Sequence, residues 1–443
     1  MKNRLMPKRL RRFCFSLSLA ILSCAIVSNQ AFALPTSLIS SQYHMRSTEL
    51  LEILQGSQRE EQFFAQSFRD AIPVTQFRNL LAELNRQYGQ AVGVKSITAT
   101  SDYDGTIEVL YEKAVISIKM VIDRDAPYPV IGLLVTGAWV YNDNLADITR
   151  EMADLPGVSG FQIAELTSAT MRPVEDRNAN RQFAIGSVFK LYILAELGRS
   201  IAAGERKWGD IIPLTHKSLP SGILQKWPDR SPLTLHSLAT LMISISDNSA
   251  ADILIAELGR ENIGNLLRLT GHSDPARTLP LLSTLEAFAL KMEDNRDLRQ
   301  AYIGSSETEQ AALLARQKAR LGLNSVSIAN LATNPRHIDR IEWYAAPADV
   351  NKLLLYLNQS QDPTIRNILA VNPIISPGDA LRWRYLGGKG GSEPGVISFA
   401  FIAKAQSGMT YAVSGSWNNA TAPVDNQKFL SLVSRMLNQL AGQ

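Results

Sequence analysis

The chain has 443 residues, 45 Lys and Arg against 41 Asp and Glu for a formal +4, and is 45% hydrophobic and 19% charged, a globular rather than a disordered composition. Six of the positive charges (Lys2, Arg4, Lys8, Arg9, Arg11 and Arg12) lie ahead of Leu34, and without them the rest of the chain carries −2, which removes the charge case for a nucleic-acid binder. Cys14 and Cys24 are the only cysteines and lie there too, so the body has no internal disulfide, no thiolate metal site and no Cys nucleophile.

Residues 2–12 are basic, 13–27 apolar with scattered Ser, and Ala31-Phe32-Ala33 offers small residues at an A-x-A position. That order predicts a secretory signal peptide, residues 1–33, cut after Ala33. An uncleaved anchor is disfavoured, because about 15 apolar residues fall short of the roughly 20 of a bilayer span. Ile21-Leu22-Ser23-Cys24 loosely matches a lipoprotein box, so lipid anchoring at Cys24 is the alternative. No stable membrane span is expected, and the mature protein is expected outside the cytoplasm, periplasmic or extracellular.

Residues 45–90 read as helices, with one apolar stripe at Leu50, Leu51 and Leu54 and a second at Phe77, Leu80, Leu81 and Leu84. Period-two runs at 94–101, 106–122 and 128–140, with a turn at 102–105 carrying Asp104-Gly105, predict an antiparallel meander. Helices followed by long strands describe a small α+β unit, and we place its boundary near 141. A helix follows at 142–153, then strands at 161–169 and 182–185. The run 187–203 is apolar almost all round, at Phe189, Leu191, Ile193, Leu194 and Leu197, which predicts a buried central helix. Helices are expected at 235–245 and 250–258, interrupted at Ser246-Asp247-Asn248, and through most of 285–355, with a loop near 333–340. Strands at 396–405 and 409–416 and a helix at 426–440 close the chain. Strands flanking a helical middle predict that the first and last segments share one sheet. The fold class is therefore α/β (α+β) and two-domain, the second domain layered.

The sequence has no His-Glu-x-x-His, and its five histidines (His44, His216, His236, His272, His337) show no metal-ligand spacing, so a metal site is not expected. Gly387-Gly388-Lys389 lacks the flanking residues of a phosphate loop, and Gly390-Gly391-Ser392-Glu393-Pro394 misses the nucleophile elbow at its last residue. No base-stacking or phosphate-neutralising pattern is present, and no nucleic-acid partner is expected. What remains is Ser187-Val188-Phe189-Lys190 at the start of the buried helix. Ser and Lys three apart share a helix face, the helix N-terminus offers unpaired N–H groups to an oxyanion, and a desolvated Lys loses basicity enough to act as a neutral general base. A capping Ser and a surface Lys is the plain alternative. Ser246-Asp247-Asn248 follows further along, between two apolar helices, where all three residue types also serve as caps. Lys389-Gly390-Gly391-Ser392 lies just before a strand and also reads as a Gly-rich turn.

In this order the three resemble the Ser-x-x-Lys, Ser-Asp-Asn and Lys-Thr-Gly set of class A β-lactamases and penicillin-binding proteins. Leu219-Pro220-Ser221-Gly222, Leu233-Thr234-Leu235, Leu241-Met242-Ile243-Ser244 and Ala250-Ala251-Asp252 look like that family's surroundings of its second motif. The resemblance covers about residues 145–443 and implies an α/β/α domain with an antiparallel sheet. It implies Ser187 as acylated nucleophile, Lys190 as its activating base and Ser246 as proton relay. Asn248 would hold the substrate amide and Lys389 its carboxylate, and the N–H groups of Ser187 and Ser392, beside Gly391, would bind the oxyanion. Asp247 reads as a structural cap. The resemblance implies no cofactor, and a small-molecule β-lactam or peptidoglycan-like substrate.

Two departures stand out. Gly390 replaces the usual Thr, with Ser392 as a substitute hydroxyl. No Glu-x-x-Leu-Asn follows the second motif, so Glu286 and Glu342 are candidate deacylation carboxylates by neighbourhood; each also reads as a loop anchor, Glu342 through Arg336 or Arg340.

The layout of a front unit ahead of this domain, with Gly388-Lys389-Gly390-Gly391-Ser392-Glu393-Pro394-Gly395 at the third motif, is similar to the two-domain serine hydrolases of the clavulanic-acid gene cluster. In that group the front domain looks like the ketosteroid-isomerase cone, here at 34–141 with Phe63, Phe64, Phe68, Pro73 and Phe77 as its core, no Asp-Tyr catalytic set, and a scaffold or recognition role. Residues 142–443 would form the hydrolase domain. The function implied is an exported serine hydrolase of β-lactams or related cyclic amides. A D,D-peptidase or esterase that releases penicillin slowly and a non-catalytic ligand binder are the alternatives.

Overall fold

The computed structural model describes residues 39–442 apart from 332 and 376. The expected export signal, its cut after Ala33 and Cys24 lie outside the described residues. The chain has the two-domain α/β architecture expected of it. Among the described residues, no helix is long and apolar enough to cross a membrane.

Four helices (Ser41–Leu54, Glu60–Phe63, Gln66–Ala71 and Val74–Tyr88) precede a four-stranded antiparallel sheet of β1 (Ala91–Ser101), β2 (Asp104–Tyr111), β3 (Ala114–Ile122) and β4 (Val130–Val140). The apparent single run 106–122 is two strands, because Glu112 and Lys113 turn the chain between two buried rows. Leu50 and Leu54 are buried as their spacing predicts, but Leu80 is 51% exposed, so the second stripe runs only through Phe77, Leu81 and Leu84. Phe63, Phe64, Phe68 and Phe77 pack on Ile107, Val109, Ile116 and Ile118, with Phe64 stacked on Phe68 at 4.3 Å. Pro73 stands at the start of the helix Val74–Tyr88, as its cap, rather than packing beneath it in the core.

Nine further strands follow in chain order: β5 (Val158–Leu166), β6 (Met171–Arg177), β7 (Phe183–Ala184), β8 (Ile211–Pro213), β9 (Pro232–Thr234), β10 (Tyr344–Ala345), β11 (Tyr385–Glu393), β12 (Val396–Lys404) and β13 (Thr410–Asn418). Five of them form the second sheet, in the order β11-β12-β13-β5-β6 and all antiparallel. β13 pairs with β5, so the first and last segments do share one sheet. The short strands make two small pairs, β7 with β10 and β8 with β9. Periodicity missed β6 and β11, one for its Arg, Pro and acidic residues, the other for its four glycines.

Gly186–Phe189 is a 3-10 turn, and the α-helix begins only at Lys190 (Lys190–Ala202), buried at Leu191, Tyr192, Ile193, Leu194 and Leu197. One sheet face packs on this helix and its neighbours; the other packs on helices Leu145–Ala153 and Asn426–Ala441 through Phe161, Phe399, Phe401, Phe429 and Met436. Buried Arg435 of the last helix pairs with Asp143 and Glu151, each at 2.7 Å, fastening both ends of this domain together.

Candidate active site

Two glycines bring the first and third motifs into contact. Gly186 has φ +46°, which turns β7 sharply into the 3-10 turn bearing Ser187. Gly391 of β11 lies so close that an added Cβ would sit 2.4 Å from Ile185 O and 2.6 Å from Ser187 N. A Cβ on Gly186 would in turn reach Ser392 N at 3.4 Å. The backbone N–H groups of Ser187 and Ser392 therefore belong to one small region. The third motif does lie just before the strand at 396–404, but it forms a strand of its own, β11, rather than a Gly-rich turn, with Lys389 paired to Ala400.

The second motif enters from the opposite side. Ser246 has φ +58°, an uncommon conformation for a side-chain-bearing residue. Its carbonyl accepts from Lys190 Nζ at 2.7 Å and from Ser221 Oγ at 2.7 Å, which hold that conformation. Asp247 is a cap, as expected: it accepts from Ala250 N at 2.9 Å, and also from Ile223 N at 2.7 Å and Leu224 N at 3.0 Å, so it ties the 219–224 loop to the motif.

Lys190 is fully buried and donates to Ser246 O, to Ser246 Oγ at 3.2 Å and to Asn248 Oδ1 at 2.6 Å. Burial, and next the Lys389 ammonium, push its pKa well below that of free lysine, against the pull of Asp252 and Asp247. Lys389 donates to Ser246 Oγ at 3.0 Å and to Gly390 O at 2.6 Å, and burial brings its pKa down to about 7. Asn248 Nδ2 donates to Leu219 O at 2.8 Å. Asp252, buried and raised to about 6 by desolvation, accepts from Thr284 N at 2.6 Å and Leu285 N at 3.0 Å, anchoring the helix Thr284–Lys291 beside the site.

Ser187, Pro220, Ser221, Asn248, Ser392 and Glu342 line one cleft. Glu342 is held there by its neighbour: Trp343 stacks on Phe189 at 4.0 Å, and Trp343 O accepts from Ile185 N at 2.9 Å. Its partner is neither Arg336 nor Arg340. Arg336 donates to Asn330 O, and Arg340 is 63% exposed beside Asp339, whereas Glu342 turns inward onto buried Lys291 at 2.8 Å. Glu286 lies elsewhere, in a capping box with Ser283 and in an ion pair with Arg260 at 2.6 Å. Lys291 and Glu393 went unread in the sequence; Glu393 directly follows Ser392, and that adjacency was the available signal. Gly390 carries Ile374 over it, whose Cδ1 would meet an added Cβ at 3.1 Å. Among the described residues, no three His, Cys, Asp or Glu side chains gather as metal ligands.

Residues 144–372 match a family model described as the Beta-lactamase enzyme family. Solved structures that resemble the chain include a β-lactamase from Sphaerobacter thermophilus, at 20% identity over 67% of this chain and 95% of that one with a TM-score of 0.46. Another from Francisella tularensis is 16% identical over 67% and 98%, TM-score 0.45. A third, from Chitinophaga pinensis, is 14% identical over 67% and 97%, TM-score 0.44. No curated protein matches the chain.

Proposed function

Because the chain belongs to the beta-lactamase enzyme family, a family of serine hydrolases acting on small molecules, we propose that it is exported and opens a β-lactam or related cyclic amide through an acyl-enzyme on Ser187. The observation that carries this reading is Lys190: a buried amine of depressed basicity, within hydrogen-bond reach of Ser246, one 3-10 turn from Ser187. Ser187 gives its proton to Lys190 and attacks the carbonyl carbon. The resulting oxyanion is met by the N–H groups of Ser187 and Ser392. Collapse breaks the C–N bond, and the proton passes through Ser246 Oγ to the leaving nitrogen. Asn248 holds the substrate amide and Lys389 its carboxylate. Water then releases the acid and restores Ser187.

Purified residues 34–443 should hydrolyse a chromogenic cephalosporin, and Ser187→Ala should lose on the order of several powers of ten in rate. Full activity in that variant would sink the assignment.

An esterase or D,D-peptidase with slow β-lactam release is the second reading. Ile374 over Gly390 favours it, because the wall where a Thr hydroxyl would meet a carboxylate is apolar. Mass spectrometry separates the two: a persistent penicilloyl adduct on Ser187 favours the second, rapid clearance the first. The front unit we assign to a ketosteroid-isomerase-like cone with a scaffold or recognition role, and the segment 1–33 to export.

A further inference from the structure

The chain between the helix Pro363–Ala370 and β11 touches the molecule at two separate places. Its first end reaches the cleft. Asn372 Nδ2 donates to Ser244 O at 2.8 Å, two residues ahead of Ser246, and Asn372 Oδ1 accepts from Ile374 N at 3.2 Å. Ile374 has φ +70°, a conformation that a β-branched residue keeps only where its surroundings hold it. Its Cδ1 covers Gly390, the residue directly after Lys389.

The other end reaches the front unit. The guanidinium carbon of Arg382 lies 3.7 Å from the ring centre of Trp139 on β4, a close cation–π contact. Trp139 stands opposite Val115 of β3, and the acids whose charge favours the guanidinium are Asp379 of its own segment and Glu108 of β2. Asp379 Oδ1 in turn accepts from Asn438 Nδ2 of the last helix at 3.2 Å. That helix also touches the front unit, with Ser431 Oγ 3.4 Å from the Tyr88 hydroxyl. The Arg382 contact differs in kind, because it is made by the segment that walls the cleft.

One packed layer joins the two ends. Ile374, Ile375 and Ala380 pack against the buried cluster that contains Trp383. Trp383, next to Arg382, is 5% exposed and stands edge-on to Tyr411. Close-packed interiors transmit displacement, so moving Arg382 moves the layer on which Ile374 rests.

We propose that Trp139 and Arg382 are positioning residues for Ile374: through their contact the front unit holds that side chain over Gly390, and the cleft thereby selects uncharged, apolar acyl donors over carboxylates. This rests on the acyl-enzyme reading above and gives the front unit a part in specificity.

The test uses the purified full chain with p-nitrophenyl butyrate and penicillin G. Arg382→Gln, and separately Trp139→Ala, should raise KM for the ester about fivefold, hold kcat within about twofold and leave KM for penicillin G no higher. Trp139→Phe keeps a ring beneath the guanidinium and should stay near the parent. In an Ile374→Ala background Arg382→Gln should change neither KM, because the side chain it positions is gone. Amide exchange over residues 371–375 should quicken about tenfold in Arg382→Gln. The proposal is overturned by exchange at the parent rate, by an equal rise of KM for both substrates, or by the same rise without Ile374. If Trp139→Ala does not fold, Arg382→Gln decides. A parent chain that turns over neither substrate overturns the acyl-enzyme reading and this proposal with it, whereas turnover with an ester KM unmoved by Arg382→Gln overturns this proposal alone.

Discussion

Lys190 and Lys389 converge on a single hydroxyl: their Nζ atoms lie 3.2 and 3.0 Å from Ser246 Oγ. Burial weakens both amines, and the Lys389 ammonium further opposes a charge on Lys190, so each gives up its proton far more readily than in water. The left-handed backbone of Ser246 makes this possible by presenting its hydroxyl and its carbonyl to the same side.

Replacing Lys190 by Met keeps the length of the side chain and removes the amine. We expect the acylation rate to fall on the order of a thousandfold or more, from loss of the general base. Ser246 O keeps its bond from Ser221 Oγ, but Asn248 Oδ1 loses its donor, which should also cost about 1–3 kcal/mol of stability. Stopped-flow acylation and urea unfolding measure the two separately, and a rate within tenfold of the parent would remove Lys190 from the mechanism.

Lys389 is charged below about pH 7 and neutral above it. Its attraction for a carboxylate is therefore present on the acid side and lost as pH rises. KM for a carboxylate-bearing penicillin should climb above neutrality, and KM for an uncharged ester should not. The sign for stability follows from the same shift: the unfolded chain holds a proton on this lysine between about 7 and the ordinary lysine range, so folding becomes more favourable as pH rises through that window. In Lys389→Met this part of the rise should vanish from urea midpoints measured across pH.

Gly390→Thr alone restores the usual hydroxyl but drives its Cβ toward Ile374 Cδ1, 3.1 Å away. We expect no gain in KM for carboxylate substrates from the single change. Combined with Ile374→Ala, KM should drop about tenfold, worth ~1.4 kcal/mol. Steady-state kinetics of both variants decide it, and a gain from the single change would show that Ile374 does not close that wall.

Glu286→Ala removes one side of the capping box and the Arg260 ion pair. The expected loss is about 1 kcal/mol of stability, seen as a lower melting temperature. Turnover should stay within about twofold, since the side chain is bound at the start of its helix and takes no part in lining the cleft. A hundredfold loss of adduct release would instead return Glu286 to the chemistry.

Much of the architecture was legible because apolar spacing reports directly on buried faces. The central helix, the meander after residue 90 and the pairing of first and last strands all follow from it. Where burial and spacing part, reading failed: β11 carries glycines for close approach to Ile185 and Ser187, so its strand shows no alternation. Leu80 is apolar yet exposed, and Pro73 sits at a helix start rather than in the core.

For the site, the local chain alone determined that Ser187 and Lys190 lie near one helix start, that Asp247 caps the next helix, and that six of the positive charges lie ahead of Leu34 and not in the body. Helix geometry and capping act within a single turn of chain, and that range is written in the sequence. The meeting of Ser246 with Lys190 and Lys389, and the choice of Lys291 rather than an arginine for Glu342, depended on segments far apart along the chain. Only packing sets such distances, because the burial that moves these charges exists nowhere until the two halves of the sheet and the helix between them close around it.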